Sequence, residues 1–119
     1  MSGIYIHIPF CKSKCTYCDF ASFPKEIGKT ESYFACLYRE TEGRGRALSG
    51  KTFDTVYFGG GTPSVVPAKF IAGELKQIRK FFDLADNAEI TIELNPGTVD
   101  EEKIKAYKEA GINRFSIGL

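Results

Sequence analysis

An excess of charge is the first thing this chain lacks. Its 16 Lys and Arg stand against 15 Asp and Glu, for a formal net charge of +1. Without a basic run or an acidic tail there is no electrostatic case for nucleic acid or an anionic membrane, which leaves a small molecule or another protein as partner. Long apolar runs are missing too: no segment approaches the about 18 consecutive apolar residues of a membrane span. The short apolar stretch from Ile4 to Phe10 has no Lys or Arg before it and leads into Cys and Lys rather than a cleavage site, so it does not read as a secretory signal. A cytoplasmic location is the expectation. Histidine occurs once and cysteine four times. Disulfides are rare in the cytosol, so clustered cysteines there point to metal binding or catalysis rather than to a covalent framework. Linkers, low-complexity segments and short-period repeats are also absent, and 119 residues with 43% hydrophobic content suit one ordinary domain.

What is present is a regular alternation of periods. Ile4, Ile6 and Ile8 alternate with Tyr5 and His7, which predicts a strand closed by Pro9. On their own, Tyr5 and His7 read as half-buried core positions. From about Thr30 to Leu48 the spacing of Phe34, Leu37 and Tyr38 predicts a helix, weakened in its last turns by Gly43 and Gly45 and stopped by Gly50. Cys36 reads as a buried small residue on its apolar side. A strand over Thr52 to Phe58 runs into the loop GGGTPS, and Pro67 suits the first position of a helix through Phe82, whose stripe is Phe70, Ile71, Leu75, Ile78 and Phe82. Glu89 to Asn95 predicts a third strand. Thr98 with Glu101 has the form of a capping box for a helix over Asp100 to Ala110, Gly111 falls just past its end, and Ile112 to Ile117 predicts a fourth strand. This order predicts an α/β fold with a parallel sheet and helical crossovers. A closed barrel of such units needs about 250 residues, so the expectation is about three and a half units of something larger, with a short doubly wound domain as the alternative.

Three of the cysteines, Cys11, Cys15 and Cys18, lie in CKSKCTYC with the spacing C-x3-C-x2-C. A structural zinc site and an ordinary cubane iron-sulfur cluster each want four ligands. His7 could complete a zinc site, a redox-active pair is a further reading, and three ligands suit a 4Fe-4S cluster with one iron left open.

CKSKCTYC resembles the cluster loop of the radical S-adenosylmethionine (SAM) superfamily, in which the amino and carboxylate groups of SAM chelate the fourth iron. YIHIPFC, YFGGGTPS, IELNPGTV and GINRFSIGL resemble, in the same order, segments of the oxygen-independent coproporphyrinogen III oxidase family. The resemblance threads the whole chain. It implies residues 1–119 to be the N-terminal portion of a radical SAM core, an incomplete TIM-type barrel, with the rest of the barrel and a C-terminal domain beyond Leu119.

It also implies roles. Cys11, Cys15 and Cys18 would be the cluster ligands, and Tyr5 and Tyr17 would lie beside SAM. Gly60, Gly61 and Thr62 would lie against its methionyl end, and Glu93 would accept its ribose hydroxyls. A tight turn is the plain reading of the glycines, and an ion pair with Arg114 is the plain reading of Glu93. Lys12 and Lys14 read as solvated loop charges, and His7 as either a cluster-side hydrogen-bonding group or a core residue.

The family divides into oxidases, which decarboxylate porphyrinogen propionates, and heme chaperones, which bind heme and pass it to acceptor proteins. The oxidases typically carry a fourth cysteine two residues after the third, where this chain has Phe20, and an extension before the first strand. The expectation is therefore the heme chaperone branch, with a 4Fe-4S cluster and SAM as cofactors and heme as cargo. Its expected partners are a heme-acceptor protein and an electron donor such as flavodoxin or ferredoxin. The oxidase is the alternative.

Overall fold

The computed structural model describes residues 2–10 and 27–117. β1 (Ser2–Ile8), α1 (Ile27–Ala47), β2 (Thr52–Gly60), α2 (Ala68–Phe81), β3 (Asp83–Leu94), α3 (Glu101–Ala110) and β4 (Arg114–Ile117) follow in the predicted order. Short 3-10 turns at Pro63–Val65 and Pro96–Thr98 fill the connections after β2 and β3. Every strand pairing is parallel and the spatial order is β1-β2-β3-β4. Sequential parallel strands joined by right-handed crossovers put their helices on one side of the sheet. The other side is left for a site.

Patterning decides which side is which. Ile6, Ile8, Val56, Phe58, Ile90, Ile92 and Leu94 are buried and pack with Phe34 of α1, Ile71, Leu75 and Ile78 of α2 and Tyr107 of α3. The register lines them up, Ile4 beside Val56 beside Ile90 and Ile6 beside Phe58 beside Ile92. Burial of each such side chain contributes about 1.5–3 kcal/mol. A one-residue slip would turn a whole row outward.

Several boundaries differ from expectation. β3 begins at Asp83 rather than Glu89: Asp83 and Leu84 pair with Thr52 and Phe53, the register then shifts, and pairing resumes at Thr55 with Glu89. The Thr52 hydroxyl donates to Asp83 Oδ2 at 2.8 Å, which gives a polar segment a reason to lie against the sheet. Pro67 is the residue before α2, not its first. α3 is capped by Asp100, whose carboxylate accepts from the Lys103 amide at 2.8 Å. Thr98 is not the cap, because its hydroxyl is spent on the Asn95 carbonyl at 2.7 Å. Gly111 ends α3 in the left-handed region, φ +111°, as placed by the sequence.

The helix glycines acquire a purpose. A Cβ at Gly45 would meet the Phe81 carbonyl oxygen at 2.5 Å, so this glycine lets the last turns of α1 close on the end of α2. Cys36, expected to be buried, is exposed, and Arg39 donates to its sulfur at 3.4 Å. Among the described residues no helix is long and apolar enough to cross a membrane.

Candidate functional site

The side chains opposite the helices form layers set by the strand register. Tyr5, Tyr57, Thr91 and Arg114 make one row across the sheet. Next along the strands, toward their C-terminal ends, His7 pairs with Gly59 and Glu93 with Ser116. Tyr5 is 58% exposed and His7 is exposed as well. Neither is a half-buried core residue, because the alternation that buries Ile6 and Ile8 turns both toward the open face.

Glu93 connects the two layers. The Tyr57 hydroxyl donates to Glu93 Oε2 at 2.8 Å, and the Tyr5 ring stacks on Tyr57 with centroids 6.0 Å apart and planes 15° from parallel. Oε1, the Tyr5 hydroxyl and the Tyr57 ring close over Gly59, which has no side chain to keep them off: a Cβ there would lie 3.0 Å from Oε1, 3.1 Å from Tyr5 Oη and 2.9 Å from the Tyr57 ring. The hydrogen bond to Glu93 is the main cause that raises the Tyr57 pKa. Desolvation, then the Glu93 charge, raises that of Tyr5. Both phenols therefore keep their protons at neutral pH. Arg114 does not pair with Glu93; its nearest carboxylate is Glu89 at 3.8 Å, and both members of that pair are exposed.

The glycine loop is sewn to the end of β1. The Gly61 amide donates to the Ile8 carbonyl at 2.8 Å and the Thr62 amide to the Phe10 carbonyl at 2.6 Å. Gly60 has φ +110°, and a Cβ on it would meet His7 Nδ1 at 2.6 Å; one on Gly61 would meet the Phe10 carbonyl oxygen at 2.5 Å. Close backbone approach to β1 is thus enough to require glycine at both positions, beside any approach of a ligand.

Below these loops lies a polar hub. Ser64 is fully buried; its hydroxyl pairs with that of Thr98 and accepts from the Asn95 amide at 3.1 Å. Lys103 of α3 donates to the Ser64 carbonyl and, at 3.3 Å, to that of Thr98, which ties the β2 and β3 loops together. Desolvation lowers the Lys103 pKa against the opposing charge of Asp100.

The structure thus brings together Tyr5, Gly60, Gly61, Thr62 and Glu93 at the C-terminal ends of β1, β2 and β3. Cys11, Cys15 and Cys18, with Tyr17 between them, lie outside the described residues. Among the described residues no group of three or more His, Cys, Asp or Glu could hold a metal ion. Tyr57 and Lys103 went unrecognised in the sequence, and Gly59 reads there only as part of the glycine run. Tyr57 sits in phase with the open face of β2, but only the parallel register sets it against Tyr5. Glu93, with one carboxylate oxygen held by Tyr57, could accept from ligand hydroxyls such as the cis-diol of an adenosyl group.

Known proteins resemble this chain in sequence and in fold. The family model described as radical SAM superfamily matches residues 5–119. The heme chaperone HemW of Haemophilus influenzae is 41% identical over 122 residues, covering 98% of this chain and 32% of that protein. HemW of Synechocystis is 40% identical over 124 residues, covering 99% of this chain and 30% of its own length. Among solved structures, coproporphyrinogen III oxidase (HemN) from Escherichia coli, described as a radical SAM enzyme, superposes with a TM-score of 0.89 at 28% identity, covering 98% of this chain and 27% of that one. The chain spans about a third of the length of these curated relatives. Its sheet and helices correspond to the N-terminal part of the HemN barrel. With the family match running over nearly its whole length, the chain belongs to the radical SAM superfamily.

Proposed function

We propose that this chain is the N-terminal portion of the core domain of a heme chaperone-like radical SAM protein, one that binds a 4Fe-4S cluster, SAM and heme and hands heme to an acceptor. The carrying observation is Glu93, one oxygen held by Tyr57 and the other packed beside Gly59, next to a glycine loop bonded to Ile8 and Phe10, the residues that lead into the cysteine loop. In this reading Cys11, Cys15 and Cys18 hold the cluster, with Tyr17 close to the cofactor. Gly60, Gly61 and Thr62 flank the methionyl group, Glu93 accepts from the ribose, and Tyr5 closes one side of the pocket. When bound, the cluster and SAM supply one-electron chemistry at the sulfonium. The protein's part is to orient and shield: Glu93 fixes the ribose, and the loop backbone offers carbonyl acceptors, its Gly61 and Thr62 amides being engaged with the end of β1.

Relatives named as heme chaperones and Phe20 in place of a fourth cysteine favour the chaperone over the oxidase. An acceptor protein, an electron donor and a cytoplasmic setting belong to the same reading. The test uses the intact protein carrying this chain, with its cluster reconstituted and SAM binding verified. Incubated anaerobically with reductant and coproporphyrinogen III, it is expected to release no carbon dioxide, while it binds heme and passes it to an acceptor. Catalytic release of carbon dioxide would make it an oxidase.

A further inference from the structure

We propose that Tyr57 is a positioning residue for the ligand's ribose: it holds Glu93 Oε2 so that the other carboxylate oxygen, Oε1, is left to accept from the diol. The inference rests on the reading of Glu93 as the ribose contact and adds a second residue through which that contact works.

A glutamate side chain has three rotatable bonds, and a carboxylate on the open face of a sheet has many ways to lie. Glu93 is half-buried and has one oxygen fixed by a phenol at 2.8 Å. The phenol is itself constrained. Tyr57 has only two side-chain torsions, its ring lies against Tyr5 at 6.0 Å, and Ser116 of β4 interacts with its hydroxyl. The arrangement spans all four strands, with Tyr5 on β1, Tyr57 on β2, Glu93 on β3 and Ser116 on β4. Tyr57 also sits one layer below Glu93, in the row of Thr91, so it reaches the carboxylate diagonally, its ring edge packed beside Gly59. A charge-assisted bond of this kind is roughly twice as strong as a neutral one. Orienting an acceptor before the ligand arrives spares the ligand that ordering penalty.

The test compares S-adenosylhomocysteine with its 2',3'-dideoxy analogue as binding probes, by calorimetry on the intact cluster-bearing protein. Tyr57→Phe keeps the ring and its stacking. It should weaken S-adenosylhomocysteine about tenfold while leaving the dideoxy analogue within about twofold. Because the readout is a ratio of two ligands on one preparation, partial loss of folded protein does not mimic it. In a Glu93→Ala background, Tyr57→Phe should have no further effect on either probe. Equal weakening of both probes by Tyr57→Phe, or full additivity with Glu93→Ala, would overturn the proposal and leave Glu93 as the ribose contact. If Glu93→Ala leaves the discrimination between the probes intact, the assignment of Glu93 falls, and this inference with it.

Discussion

Thr41 and Glu74 meet across the interface of α1 and α2, with Thr41 Oγ1 2.6 Å from Glu74 Oε2 and both residues buried. The same hydroxyl lies 2.8 Å from the Leu37 carbonyl. A hydroxyl has one proton to give, and the carbonyl can only accept. Thr41 can therefore donate to only one of them at a time, and its donation to Glu74 favours the ionised carboxylate without fully offsetting burial. Burial, reinforced by the charge of Glu40 and opposed by the Thr41 bond, raises the Glu74 pKa to about 7 from an ordinary 4.5.

The sign of the resulting pH dependence follows. A carboxyl whose folded pKa lies above its unfolded value gives stability that is complete below about pH 4.5 and is lost as pH rises through about 7. The whole swing is on the order of 3 kcal/mol. Glu74→Gln should abolish this part of the slope and unfold at higher denaturant than wild type at pH 8.5, a working pH of about that value being well above the transition. Denaturation midpoints in urea across this range check it; parallel wild-type and variant curves would show that Glu74 does not hold its proton.

Gly43 and Gly45 should respond oppositely to alanine. Nothing lies within 4 Å of a Cβ at Gly43, so Gly43→Ala should gain up to about 1 kcal/mol of helix propensity. At Gly45 the new methyl would meet Phe81 backbone at 2.5 Å, and the variant should lose about 1–3 kcal/mol in spite of the same propensity gain. Equilibrium unfolding of both variants decides.

Gly59 and Gly60 separate binding from folding. Gly59 has no positive φ, so a methyl there falls on Tyr5, Tyr57 and Glu93, and Gly59→Ala should weaken S-adenosylhomocysteine by about tenfold or more, in line with overpacking of a tight site. Gly60 has φ +110° and faces His7, so Gly60→Ala should lower stability by about 1–3 kcal/mol before any ligand is added. Thermal melts alongside calorimetry distinguish the two outcomes.

Removing any of Cys11, Cys15 and Cys18 by alanine substitution should prevent stable cluster assembly, whereas Cys36→Ala should leave it intact, Cys36 being an exposed thiol on α1. Iron and sulfide content after anaerobic reconstitution is the measurement. Cluster loss on changing Cys36 would contradict the assignment.

Much of this was legible in the residues because period and punctuation are local properties. The alternation Ile4, Ile6, Ile8, the glycine after α3 and the placement of Glu93 near the end of β3 all follow from spacing alone. What escaped depended on partners distant in sequence. Asp83 and Leu84 read as loop until Thr52 and Phe53 pair with them. Thr98 and Asp100 are both plausible caps, and the turn at Pro96–Thr98 uses up the first. The role of Tyr57 depends on a register that period-two patterning cannot supply, since every even shift keeps the same face inward.

The two hydrogen bonds that the Gly61 and Thr62 amides donate to the Ile8 and Phe10 carbonyls make neighbours of loops that would otherwise be independent. Whatever steadies the glycine loop steadies the entrance to the cysteine loop, and the free energy of that shared ordering is counted once. In this fold, cluster and nucleoside cofactor would therefore promote each other's binding by the same factor, whichever arrives first. A preparation that has lost its iron would show weakened affinity for the organic ligand beyond the loss of any direct contact between the two.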